Sequence, residues 1–409
     1  MRWFFLIFLV FYMSISLADD IRIITSFPPN VSTAYGELWK SKNPDSEFLT
    51  LNKNTVASID EIARGNTRGF DVFMASSPEA FELLSQSGAF HKPVECKYLD
   101  FDAIEPFALS SIGWARRKDS GVFLPANWND LTKQLYRNKI AMVRPARSGS
   151  SHLMVEQLLQ TRGWEEGWAF ILSLAGNLST LTARSFGVTD GVAQGRFEIG
   201  LTIDFLAQSK AKELDFRYGR PVMLTSAKIG LLKHGKSPEA SCRFLELVLS
   251  EEGQSLLLNP DIARIPISPE VRAKYGRTPK EVKDALNLEW ISYDARLSAR
   301  RYWAVNTLFD TMITEVLDER KKIWARLDEL SAKYGEAKIQ NIRQLLIEPI
   351  ASELDVERFS SVLASNLRTT RLSGASQEQT VITERWRSSL RDQFNLANDA
   401  MFALEREFK

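Results

Sequence analysis

Through the first two thirds of the chain, short apolar stretches alternate with amphipathic ones, and the apolar period switches between two and about 3.6 residues. "IRIITSF" reads as a strand, "STAYGELWKS" as a helix, "EFLTL" as a strand, "ASIDEIARG" as a helix ending at Gly65, and "DVFMASS" as a strand. "PEAFELLSQSG" follows as a helix with Ser77 at its N-cap, Pro78 in its first turn and Gly88 past its end. This βαβαβα order predicts an α/β fold with a parallel sheet covered on both faces. "EPFALSSIGWARR" then reads as a long strand leading into a second α/β series. That series runs as strand "KIAMVRP", a helix from Ser150, a helix through "EEGWAFILSLAGN", strand "LSTLTARS", helix "GVTDGVAQG" and strand "FEIGLTIDF". "RPVMLTSAKIGLLKH" is a second long extended stretch, and one helix over "PEASCRFLELVLSEEGQSLLLN" follows, with Ser237 as cap and Pro238 in the first turn. Two extended crossovers, near Ala108–Ile112 and Leu224–Ile229, thus bracket an inserted α/β unit. The expectation is two lobes with a cleft between them.

Beyond about Pro279 the pattern becomes helical alone. Val305, Leu308, Phe309, Met312, Ile313 and Val316 form one stripe; Ile382, Trp386, Leu390, Phe394, Ala397, Met401, Leu404 and Phe408 form another at four- and three-residue steps. Such stripes pack on each other or on the body, or they offer a docking face to a partner. The expected organisation is lobe I over residues 19–108 and 224–282, lobe II over 109–223, and an all-helical extension over 283–409. No repeat of 20–50 residues interrupts it.

The N-terminus, "MRWFFLIFLVFYMSISLADD", places one arginine before an uninterrupted apolar run and small residues at Ser16-Leu17-Ala18. It reads as a secretory signal peptide over residues 1–18, cleaved after Ala18, and directs the chain to the periplasm. Lys and Arg number 52 against 51 Asp and Glu, and the leader holds one arginine, so the mature chain is balanced. A neutral chain argues against nucleic acid as partner, and any anion site must be local. Cys96 and Cys242 could pair in an oxidising compartment, although spacing alone cannot bring them together. His91, His152 and His234 are scattered, and no zinc spacing, Walker loop, dinucleotide fingerprint or nucleophile elbow occurs. The expectation is a protein without catalytic residues, metal site or cofactor.

In open α/β sheets, ligands bind beyond the carboxyl ends of the strands. Here those ends carry Ser26; Ser76 and Ser77; the loop Arg147, Ser148, Gly149, Ser150 and Ser151; Arg184 and Ser185 just before Gly187; and Asp204. In "RPARSGSSHLMVEQLLQ" an arginine, a glycine and three serines run straight into a helix start. Such a junction combines unpaired N–H groups, a positive dipole end, hydroxyls and a guanidinium, which together hold an anion. Each serine alone reads as a helix cap. Five strand ends together predict a small-anion cleft.

"SGSSHLMVEQLLQTRGWEEGW", "ARSFGVTDGVAQG", "IGLTIDF" and "LSEEGQSLLL" resemble signature segments of type 2 periplasmic solute-binding proteins, in the subgroup of ferric-ion, phosphonate and sugar-phosphate binders. The resemblance spans about Asp20 to Pro279 and reaches into the tail through "LFDTMITEVL". It implies a hinged pair of lobes closing on a solute, and a membrane partner that reads the closed form. It places ligand contacts at Ser26, Ser76, Ser148 to Ser151, Ser185 and Asp204. No Tyr-Tyr pair occurs, which departs from the ferric-ion binders. Asp204 would repel a bare phosphate, so it would bind a hydroxyl, an ammonium group or a bridging cation, or cap the helix that follows. The resemblance implies a monomer that captures a small organophosphate, such as a phosphoglycerate, and reports it to a membrane sensor kinase. The alternatives are the binding subunit of an ABC permease for a phosphonate, sugar phosphate or metal ion, and an exported phosphate-ester hydrolase.

Overall fold

Strands β1 (Ile21–Thr25), β2 (Phe48–Asn52) and β3 (Val72–Ala75) pair in parallel with β1 in the middle, and helices α1 (Pro29–Lys42), α2 (Thr55–Ala63) and α3 (Pro78–Gln86) follow them in turn. The strand period of two sorts their side chains to two cores. Ile21, Ile23, Val72 and Met74 meet Tyr35, Trp39 and Phe244 on one face. Ile24, Phe73 and Ala75 meet Ile59, Ile62 and Phe81 on the other. The computed structural model describes residues 20–91, 102–276, 278–287, 293–364 and 376–408. The leader and Cys96 lie outside them; Cys242 is buried and is not a free thiol.

The next strand, β4 (Ile104–Arg117), joins the lobes. It is followed by β5 (Ile140–Val143), α4 (Gly149–Arg162), α5 (Trp164–Ala175), β6 (Leu178–Thr182), α6 (Ser185–Ala193), β7 (Ile199–Ile203), α7 (Asp204–Gln208), β8 (Leu214–Tyr218) and β9 (Leu224–Leu231). From Ile104 to Ser111, β4 pairs antiparallel with β9 in the lobe I sheet; from Ile112 to Arg116 it pairs with β7, and from Gly113 to Arg117 with β8, in lobe II. The strand order is β2-β1-β3-β9-β4-β7-β5-β6, so β4 runs through both lobes. The first crossing falls at Ser111–Ile112. The second does not fall at Leu224–Ile229: that segment is β9, paired with β3 and β4 inside lobe I, and the chain crosses earlier, in residues 219–223. The displacement comes from β8, whose alternating Leu214, Phe216 and Tyr218 mark a strand that sequence reading passed over.

The expected single helix after β9 is two, α8 (Pro238–Leu249) and α9 (Glu251–Leu256). Ser250 adopts an extended conformation between them, and its hydroxyl accepts from the Gly253 N–H, so an internal N-cap overrides the continuous apolar pattern. Ser77 and Ser237 stand at the N-cap positions of α3 and α8 without making side-chain caps. The short strand β10 (Ile265–Pro266) joins β4, and helices α10 (Pro269–Tyr275) and α11 (Lys280–Asn287) follow.

The tail comprises α12 (Ala295–Phe309), a π-turn over Asp310–Thr314, α13 (Leu317–Tyr334), α14 (Glu336–Ile347), α15 (Glu353–Ala364) and α16 (Gln377–Glu407). α12 straddles the two lobes. Its Tyr302 is wholly buried in the second core of lobe I. Ala304, Val305, Leu308, Phe309 and, past the helix, Met312 and Ile313 are wholly buried in the lobe II core. Arg301 donates to both Glu156 oxygens on α4 at 2.8–3.1 Å, and neither side chain is more than 1% exposed. Arg144 pairs bidentately with Asp310 at 2.6 and 2.5 Å, and Arg137 with Asp328 on α13 at 2.7 and 2.9 Å. α13, α14 and α16 enclose a further core of their own around Trp324, Leu327, Phe394 and Met401. Among the described residues, no helix is long and apolar enough to cross a membrane.

Candidate functional site

Four helices begin around one pocket. Strand β1 ends in Ser26-Phe27-Pro28 ahead of α1, β2 in Asn52 ahead of Asn54 and α2, β5 in the Arg147–Ser148 turn ahead of α4, and β6 in Arg184 ahead of α6. The pocket between the lobes is lined by residues from all four junctions together with Ser76 and, from the start of α7, Phe205 and Leu206. The N–H groups of a helix's first turn have no partner within the helix, and each helix start carries a positive dipole end equivalent to about half a charge. Asn54 caps α2 by accepting from the Ala57 N–H at 2.9 Å. Ser148 caps α4 by accepting from the Ser151 N–H at 3.3 Å, and its hydroxyl lies 2.8 Å from that of Ser185 and 3.0 Å from that of Ser150. Arg147 is exposed and Arg184 half-buried. Among the described residues that line this pocket there is no carboxylate, imidazole or phenol.

The lobes stand closed. The Gly149 N–H of lobe II donates to Thr55 Oγ1 of lobe I at 3.1 Å, and Arg184 donates to Asn52 Oδ1 across the cleft at 3.1 Å. About 40 Å³ remains between them. That is room for about three waters, so the lobes must part to admit a solute.

Of the residues singled out in the sequence, Ser26, Ser76, Arg147, Ser148, Gly149, Ser150, Arg184 and Ser185 line this pocket. The other four lie off it. Ser77 is buried behind Gly149 and donates to Glu79 at 2.9 Å. Ser151 faces a neighbouring small cavity with Thr202, and Gly187 sits in the first turn of α6. Asp204 stands at its strand end, but its carboxylate turns to the joint: it accepts from the Ser111 N–H of β4 at 3.0 Å, the Tyr218 hydroxyl at 3.3 Å and the Phe205 N–H at 2.8 Å. Burial pushes its carboxyl up to about 7, against the opposing pull of those donors and of Arg264.

The bacterial extracellular solute-binding protein family matches residues 31–259 of the chain. The chain belongs to this family. The phosphoglycerate transport regulatory protein PgtC of Salmonella typhimurium is 25% identical over 342 residues, covering 80% of this chain and 85% of that protein. Among solved structures, the periplasmic binding protein P5PA superposes with a TM-score of 0.60 at 15% identity, over 68% of this chain and 94% of that one. AfuA from Actinobacillus pleuropneumoniae, with exogenous fructose-6-phosphate bound, does so with a TM-score of 0.60 at 14% identity, over 68% and 93%. The fold of this solute-binding protein is thus that of the periplasmic binding proteins, with a helical C-terminal region added.

Sequence reading missed two parts of the site. Asn54 and Thr55 follow β2 and are reached by the same strand-end rule that found the serines. Arg264 carries no such signal, because it lies in the irregular turn between α9 and β10. It is 2% exposed, it donates to Ser76 Oγ at 3.3 Å, and burial lowers its pKa to about 9, which leaves it charged at neutral pH.

Behind Ser77 lies a buried polar network that ties both lobes to α12. His152 of α4 contacts Asn306 and Ser298, each at 3.1 Å, and burial lowers its pKa to about 4. Glu79 of α3 is wholly buried, and burial raises its carboxyl to about 8. The stability that a raised carboxyl contributes is full below its unfolded pKa and is lost as pH rises through the folded one. Asp204 has the same sign. His152 has the opposite sign, but its contribution is complete above about 6.5, the ordinary histidine value. The denaturation midpoint is therefore expected to fall as pH is raised from about 6.5 to about 9, and to fall less in Glu79→Gln. An equal fall in the variant would assign the effect elsewhere.

Proposed function

We propose that this protein captures a small organophosphate, such as a phosphoglycerate, in its interlobe cleft, and that a membrane partner reads the closed form. The observation that carries this is the convergence of four helix N-termini, a chain of serine hydroxyls and two arginines on one pocket whose described lining holds no carboxylate. Such a lining is rich in donors suited to phosphate oxygens. The kinship with a protein named for phosphoglycerate transport regulation, and the fold shared with a binding protein solved with fructose-6-phosphate, support the same reading. A sensor kinase as the membrane partner fits the regulatory name of the relative; a permease would make the protein an importer subunit.

A thermal-shift screen of the mature protein against phosphoglycerates, phosphoenolpyruvate, hexose phosphates, phosphonates and Fe(III) tests it. A ligand at 100 times its dissociation constant adds about 2.7 kcal/mol. Stabilisation by Fe(III) alone would sink the organophosphate reading. By calorimetry, Arg147→Ala and Arg184→Ala are each expected to weaken phosphoglycerate binding by about 1.5–3 kcal/mol, the range for a charge-assisted hydrogen bond. If both bind as wild type does, helix ends and serines hold the anion alone.

A further inference from the structure

Arg264 has one edge unused. Its guanidinium carbon packs over two rings, 4.0 Å from the centroid of Phe27 and 3.5 Å from that of Phe205. Its Nη1 donates to Ser76 Oγ. Among the described residues, Nε and Nη2 are buried and find no partner. These two nitrogens form a single edge of the group, two parallel donors in one plane. The nearby carboxylate of Asp204 does not take that edge; its oxygens accept from Ser111, Tyr218 and Phe205. A buried guanidinium with an empty two-donor edge is costly unless something occupies it.

Its position says what could. Ser76, Phe27 and Phe205 all line the interlobe pocket, while Arg264 itself lines an adjoining cavity of about 220 Å³ with Asp204 and Tyr218. Arg264 therefore stands at the partition between the two spaces. Phe27 belongs to lobe I, as does Arg264 through the pairing of β10 with β4, whereas Phe205 belongs to lobe II. Parting the lobes unstacks Phe205 and uncovers the guanidinium to the cleft.

We infer that Arg264 is a second anion subsite, which takes the carboxylate of a phosphorylated acid whose phosphate sits at the helix N-termini. The planar two-donor edge matches a planar carboxylate with two parallel hydrogen bonds. Ser76 lines the interlobe pocket and accepts from Arg264, so it lies where the body of such a ligand would pass. Arg264 is then the residue that separates phosphorylated acids from phosphorylated alcohols. This rests on the organophosphate reading of the cleft and adds a specificity to it.

Calorimetry with two probes tests it, a phosphoglycerate and glycerol phosphate, which differ in the carboxylate. Wild type should prefer the phosphoglycerate by about tenfold or more, the scale of a charge-assisted pair. Arg264→Gln, which removes the charge, and Arg264→Lys, which keeps it but loses the fork, should each bring the ratio of affinities towards one. A wild-type ratio near one overturns the carboxylate subsite while leaving the organophosphate reading in place, and it needs no variant to fold. A ratio kept in both variants also overturns it. Binding of neither probe by wild type fails the organophosphate reading itself and removes the ground for the subsite.

Discussion

A chain ended at Pro279 is expected to give no soluble, ligand-binding protein. Truncation there removes α12, and with it the wholly buried Tyr302 from the lobe I core and Val305, Leu308, Phe309, Met312 and Ile313 from the lobe II core. Each such side chain contributes about 1.5–3 kcal/mol by burial, and domain stability as a whole is about 5–15 kcal/mol. Truncation also strands charge. Glu156 would lose Arg301, Arg144 would lose Asp310, and Arg137 would lose Asp328. Arg301→Met isolates one of these losses without shortening the chain. It leaves the Glu156 carboxylate buried opposite no cation, and the expected loss is about 3–5 kcal/mol in denaturant unfolding. If the truncated chain is soluble, binds ligand normally and loses only its signal in cells, the tail is a docking appendage and the structural role fails.

Gly149→Ala is expected to leave the lobes folded and to hold them apart. A Cβ at this position would come within 2.5 Å of Ser77 Cβ and 3.0 Å of Thr55 Oγ1, both across the cleft in lobe I. Nothing else opposes the change, since Gly149 opens a helix and alanine is a good helix former. The closed state is where a solute touches both lobes, and a ligand favours that state only by its differential affinity for it. Loss of closure should weaken phosphoglycerate binding on the order of 100-fold, about 2.7 kcal/mol. In small-angle scattering, wild type should become more compact with saturating ligand and the variant should not. Equal affinity and equal compaction in the two proteins would mean that closure is not set at this contact.

The contrast between Ser148 and Arg264 shows how far the sequence reaches. A strand end followed by an amphipathic period forces the chain to turn at a known edge of the sheet, so the serines of α4 and α6 can be placed before any coordinates exist. The same rule extends to Thr55. It locates Asp204 but not the direction of its side chain, which is decided by a hydrogen bond to Ser111 N–H, 93 residues away. Arg264 sits in a turn with no period, and only tertiary packing puts its guanidinium over Phe27 and Phe205. The apolar stripes of the tail were legible as helices. That α12 belongs to both lobes was not, because an amphipathic stripe specifies a buried face and leaves its neighbour unspecified.

The straddling of α12 also orders events during biogenesis. The lobe I sheet is built from β1, β2 and β3 near one end of the chain and β9 far beyond them, and its second core is completed only by Tyr302. The lobe II core needs Trp386 as well. Neither lobe can therefore finish as a local unit while the ribosome is still adding residues, and such long-range closure is slow to form. A nascent chain of this design stays pliable until nearly all of it has been made, which is the condition a polypeptide must keep if it is to be threaded through a secretion channel before it hardens.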